Sequence, residues 1–180
     1  MRFGFRGGFR TVNTIVFFMF VSLACRGQSE DFLVGARGGL SFNTGIKRFQ
    51  QVEAFGEWKL WHWGIYSDLF VRPYLDISAG DLWNEKEEGF AGTLGPGVEL
   101  HAGKFPVVLE GGSSPTLLSR DNFGGENFGY KFQFTSHIGL RWEITKHFSV
   151  DVRFQHMSNA GIAKPNPGLN MQMFSASYGF

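Results

Sequence analysis

The stretch from Phe128 to Trp142 constrains this chain more than any other. Phe128, Tyr130, Phe132, Phe134, Ile138, Leu140 and Trp142 fall on one parity, and Lys131, Gln133, Thr135, His137 and Arg141 on the other. A period of two describes an extended strand; a helix would repeat its apolar residues every three or four positions. The apolar parity is aromatic at both ends, and the other carries cations. A lipid-facing wall with aromatic girdles around a polar lumen has this pattern.

The alternation recurs. Phe32, Val34, Ala36, Gly38, Leu40 and Phe42 predict a first strand. Val52 to Leu60 alternates with Glu53, Glu57 and Lys59 in a second, and Ile65 to Leu75 with Asp68 and Arg72 in a third. Phe90 to Leu100, interrupted at Gly95-Pro96-Gly97, is a fourth, and Pro106 to Gly112 a short fifth. Phe128 to Trp142 is the sixth, Phe148 to Phe154 the seventh, and Phe174 to Phe180 the eighth. The fold class expected is all-β: an 8-stranded antiparallel transmembrane β-barrel of the outer-membrane type, the smallest of its kind.

The connections sort by length. His62-Trp63, Ala102 to Lys104 and Thr145-Lys146 read as periplasmic turns; Thr44 to Arg48, Asp76 to Gly89, Ser113 to Asn127 and Asn159 to Gly168 read as outer loops. Asp76 to Glu88, with Trp83, is expected to lie over the membrane surface as a mobile loop. The chain closes on Phe180, a terminal aromatic that resembles the assembly signal of bacterial outer-membrane proteins.

Residues 1–24 have the layout of a secretory signal peptide: Arg2, Arg6 and Arg10, an apolar run from Ile15 to Ala24, and Ser22-Leu23-Ala24 before Cys25. The run is too short to span a bilayer, which takes about 20 residues. A lipid-anchored Cys25 is an alternative, with Ser22 standing where such signals carry Leu. Cys25 is the sole cysteine, so no intramolecular disulfide forms. Residues 25–30 are a short lead-in, and residues 31–180 one barrel domain. Of the 17 basic residues, the three leader arginines leave with the signal, so 14 remain against 16 acids, a net of −2. That balance disfavours nucleic acid as a partner, since phosphate binding needs a basic stripe.

His156 and Ser158 end the seventh strand. Residues i and i+2 share a face about 6.6 Å apart, close enough for a base to activate a nucleophile. They share parity with Phe154 and Val152, which turns them to lipid. Asn170, on the parity of Phe174 and Tyr178, faces the same way from the neighbouring strand. Polar side chains toward lipid are costly and mark function. The Gly- and Pro-rich loop that follows Ser158 is a source of oxyanion donors. No pair among the five histidines has metal-ligand spacing on one face, and no cofactor is expected. His137 and Arg141, with Glu53, Glu57, Asp68, Arg72 and Asp151, are expected to fill the lumen.

The segment His156-Met157-Ser158-Asn159-Ala160-Gly161, with Asn166-Pro167-Gly168 and then Asn170, resembles the signature of the PagL family, lipid A 3-O-deacylases of the Gram-negative outer membrane. The resemblance implies Ser158 as nucleophile, His156 as its base, and an oxyanion hole from the amides near Ala160 and Gly161 with the Asn166 side chain. Asn159 would support that loop. Asn170 stands where the family carries Glu; it can orient the imidazole but brings no charge to stabilise an imidazolium. Glu99 and Glu110 are alternative acids, though Glu99 reads as lumen-facing. The implied partner is lipid A, or lipopolysaccharide, in the outer leaflet of the bacterial outer membrane; a homodimer stays open. A non-catalytic structural or adhesin-like barrel and a barrel lipid acyltransferase are the competing readings.

Overall fold

The computed structural model describes residues 31–42 and 48–180. The expected signal peptide, Cys25, residues 25–30 and most of the first outer loop lie outside the described residues.

Among the described residues eleven strands are present: β1 Phe32–Ser41, β2 Gln50–Lys59, β3 Trp63–Tyr66, β4 Leu69–Trp83, β5 Glu88–Ala102, β6 Val107–Leu118, β7 Asn122–Phe123, β8 Glu126–Asn127, β9 Phe132–Glu143, β10 Phe148–Ser158 and β11 Leu169–Gly179. Eight of them pair antiparallel around the ring β1-β2-β4-β5-β6-β9-β10-β11. The ring closes through β2 pairing with β4, from Gln50↔Trp83 to Lys59↔Tyr74, while β1 joins the C-terminal strand β11. Closure satisfies every wall edge, as a lipid solvent demands. The expected 8-stranded barrel is therefore the observed fold. β3 extends the β4 hairpin at the periplasmic end, and β7 and β8 form a small hairpin within the outer loop 119–131.

Lipid-facing positions are large and exposed, among them Trp58, Leu75, Ile138, Leu140, Trp142, Phe154 and Phe174. Inward positions carry charge, which must be paired when buried. Arg37 contacts Glu53 at 2.6 Å and Asp76 at 2.8 Å. Arg141 meets Glu57 at 2.7 Å, Glu110 at 2.6 Å, and also Glu99, which Lys59 shares. This ionic plug fills the periplasmic half and middle of the lumen. Of its expected members, Asp68 stands instead at a periplasmic turn, where its carbonyl accepts from the Gly103 amide, and Arg72 pairs with Asp31 at 2.7 Å near the same end.

The outer third of the lumen differs. Phe49, Leu82, Leu118, Phe123, Phe128, Met157, Leu169, Met171 and Met173 form a buried apolar cluster. Phe49 lies 5.5 Å, centroid to centroid, from both Phe123 and Phe128. This plug corrects three expectations. Asp76 to Trp83 is strand, not loop, and the connection to β5 is only residues 84–87. Asp76 and Ser78 point into the lumen, where Asp76 has Arg37 and Ser78 bonds Glu53 at 3.0 Å. Ser113 to Leu118 continues β6 for the same reason: Ser114 and Thr116 are inward and buried. Phe128 and Tyr130 precede β9 rather than begin it, because Phe128 is drawn into the apolar plug.

Candidate active site on the lipid-facing wall

β10 and β11 pair in a register that sets His156 opposite Asn170 and Met157 opposite Leu169. Met157 and Leu169 point into the apolar plug, so alternation sends His156, Ser158 and Asn170 out through the wall. His156 Nδ1 lies 2.7 Å from Asn170 Oδ1. An amide oxygen only accepts, so Nδ1 carries the proton and donates it, leaving Nε2 with a free lone pair. Ser158 is half-buried on the same face, and its Oγ makes no hydrogen bond among the described residues. The structure thus joins His156 to Asn170 directly and sets Ser158 beside them without a bond to the imidazole.

The loop 159–168 is organised by Asn159, which is fully buried. Its Nδ2 donates to the carbonyls of Phe128 (2.8 Å), Ala163 (3.0 Å) and Pro165 (3.3 Å). Its Oδ1 accepts from the Gly161 amide at 2.9 Å, and its own amide donates to Asn166 Oδ1 at 3.1 Å. Gly161 N–H is therefore occupied, which removes it from the expected oxyanion donors. The Ala160 amide and the Asn166 Nδ2 keep no partner among the described residues and are the donors that remain. Ala160 takes φ 52°, a left-handed turn that costs a non-glycine residue some strain.

Two glycines position the loop. A Cβ on Gly168, at φ +65°, would stand 2.9 Å from His156 Cε1; the imidazole rests against bare backbone. A Cβ on Gly129 would meet Pro165 O at 2.2 Å. Sequence reasoning had no signal for either contact. It did hold one for Ser136, which it passed over. Ser136 has the outward parity of Phe134 and Ile138, sits opposite His156, and its hydroxyl is 2.9 Å from that of Ser113. The parity test that singles out His156 singles out this pair as well.

Glu99 and Glu110 lie on the far side of the wall, buried and paired to Arg141. Neither reaches His156. His137 is inward, 3.0 Å from the Tyr74 hydroxyl. His101 stacks on Phe70 and His147 on Tyr178 at the periplasmic end.

Closed wall, plugged lumen and outward polar cluster together define an integral outer-membrane barrel whose candidate site faces the bilayer. The profile of the lipid A 3-O-deacylase (PagL) family matches residues 49–179, and the chain belongs to that family. It is 30% identical over 158 residues to the lipid A deacylase PagL of Bordetella bronchiseptica, a stretch covering 80% of this chain and 84% of that protein. The crystal structure of the outer membrane enzyme PagL shares its fold with a TM-score of 0.66 at 20% identity, over 81% of this chain and 97% of that one. The N-terminal β-barrel domain of Pseudomonas aeruginosa OprF shares the fold at a TM-score of 0.54 and 12% identity, over 85% of this chain and 100% of that one.

Proposed function

We propose that this chain is an outer-membrane serine esterase that removes the 3-O-linked 3-hydroxyacyl chain from lipid A. The reading is carried by one observation: on a largely apolar wall, His156 is held by Asn170 at 2.7 Å, with Nε2 free and Ser158 on the same face. Membership in the lipid A 3-O-deacylase family supports the choice of substrate.

Ser158 Oγ attacks the ester carbonyl as His156 Nε2 takes its proton. The carbonyl oxygen becomes an oxyanion, held by the Ala160 amide and Asn166 Nδ2; such preorganised donors are usually a large part of the rate enhancement. The tetrahedral intermediate collapses, the bond to the sugar oxygen breaks, and His156 returns the proton to that oxygen. An acyl group now sits on Ser158. Water attacks it with His156 as base, Ser158 Oγ leaves and regains its proton, and the 3-hydroxy fatty acid departs. Asn170 orients the ring throughout but adds no counter-charge. A bilayer-facing site suits a substrate that arrives by lateral diffusion.

Mass spectrometry of purified lipid A, incubated with detergent-solubilised protein beside Ser158→Ala, tests this. The expected result is loss of one 3-hydroxyacyl group with the wild type and at least about a thousandfold less with the variant. Acyl gain on a second lipid would point to transfer. An unchanged spectrum from a folded barrel would favour the structural reading.

A further inference from the structure

A second feature of the wall starts beside the site. The strands β5 and β6 pair from Ala91↔Leu118 to Thr93↔Thr116 and resume at Gly97↔Gly112; the ladder between is missing. Pro96 and Pro115 lie in this gap, and neither has an N–H to give. On the lumen side the strands press together, since a Cβ on Gly95 would stand 2.6 Å from Ser114 Cα. On the lipid side lies an apolar groove of about 450 Å³. Ala79 and Gly92, paired in register, give it a floor without bulk, and Ile77, Leu94, Phe90 and Leu117 stand around it.

The groove begins one strand away from the site, at Phe132 of β9. Ser158 pairs with Phe134, and Phe134 with Pro115, whose neighbour across the gap is Leu94. At about 4.8 Å per strand, β6 lies roughly 10 Å and β5 roughly 14 Å from β10. A chain carrying the scissile ester hangs at Ser158 itself. A chain attached elsewhere on the same acylated disaccharide hangs at about the distance of the groove.

We propose that this groove holds a second, uncleaved acyl chain of the lipid substrate and thereby sets the O-3 ester against Ser158. The inference rests on the deacylase reading above. A chain leaving the bilayer for the groove escapes no water, so the groove gains little affinity and acts by orientation. Its effect is therefore on alignment at the reacting atoms, where small displacements are costly.

The test compares two substrates in detergent micelles: hexa-acylated lipid A, and an N-acetylglucosamine carrying only its O-3 3-hydroxyacyl chain. Ala79→Phe and Leu94→Trp fill the groove with apolar bulk on the lipid face, and a heat-modifiable gel shift checks that each barrel is folded. The expected result is kcat/KM lower by about tenfold on the hexa-acylated lipid and unchanged within twofold on the single-chain compound. Equal loss on both would assign the groove to the cleaved chain and overturn the proposal. No loss on either would overturn it too. A wild type inactive on both lipids would remove the deacylase reading and this inference with it, whereas a wild type active on both separates the two.

Discussion

The two ends of the lumen are built on opposite principles. Toward the periplasm, Arg141 is surrounded by Glu57, Glu99 and Glu110, and the barrel is held by buried ion pairs. Toward the outer surface, Phe49, Phe123 and Phe128 close on Met157, Leu169 and Met171. β10 and β11 run through both zones: Asp151, Arg153 and Ser175 line the first, while Met157 and Leu169 line the second. The site lies behind the apolar zone only. Apolar residues there offer no hydrogen-bonding group to draw His156 or Ser158 inward. Dense packing also resists the small displacements that a catalytic hydrogen bond does not tolerate. The ionic end sustains the barrel, and the apolar end backs the proposed site.

Two substitutions test that division. Arg141→Met removes a cation from three buried carboxylates, of which Glu57 and Glu99 keep Lys59, a change worth about 3–5 kcal/mol when one partner of a buried pair is lost. The urea midpoint of the folded barrel in detergent should fall accordingly, while kcat of the protein that stays folded is unchanged. Phe128→Ala opens a cavity in the apolar plug, costing about 3 kcal/mol, and it should lower kcat as well, because the Phe128 carbonyl anchors Asn159. A kcat that fell with Arg141→Met and held with Phe128→Ala would reverse the assignment of the two ends.

The same contrast explains what the sequence could and could not show. Where the lumen is polar and the outside is lipid, parity reads cleanly, as along Ile138 to Trp142 and Phe148 to Phe154. At the outer rim the rule inverts: Leu82, Met157 and Met171 point inward, while Asp81, His156 and Asn170 point outward. An alternation that changes sign reads as loop, which is why Asp76 to Trp83 and Ser113 to Leu118 went unrecognised as strand. Phe128 misled for the opposite reason, an apolar residue of the right parity that belongs to a loop. The inversion also exposed the site, since His156 and Ser158 are notable only because they break the apolar face. The hub role of Asn159 and the contact of Gly168 with the imidazole depend on loop geometry that no spacing encodes.

Asn159→Ala attacks the seam between plug and site. It deletes three donated bonds and the acceptor for Gly161, leaving buried carbonyls unpaired at about 1–3 kcal/mol. The loop would no longer hold the Ala160 amide in place. Losing one oxyanion donor costs about a hundredfold or more in rate, so kcat should drop by about that factor with KM little changed. An unaffected kcat would separate the loop from the chemistry and leave His156 and Ser158 without their proposed donors.

The smallest effect expected is a gain. Asn170→Asp keeps the side-chain shape and the acceptor for His156 Nδ1, so orientation and tautomer are preserved. It adds a negative charge beside a ring that becomes positive only when Ser158 gives up its proton. The interaction is therefore stronger in the transition state than in the resting enzyme, the condition for a higher kcat. An ion pair at a partly exposed position is worth about 1 kcal/mol at most, which predicts a kcat raised by about fivefold. Asn170→Leu, which removes the acceptor, should lower it. If Asp and Leu were equally harmful, the amide would be acting through its NH2 rather than its oxygen, and His156 would need another source of orientation. If both were neutral, the imidazole would be held by the backbone of Gly168 alone.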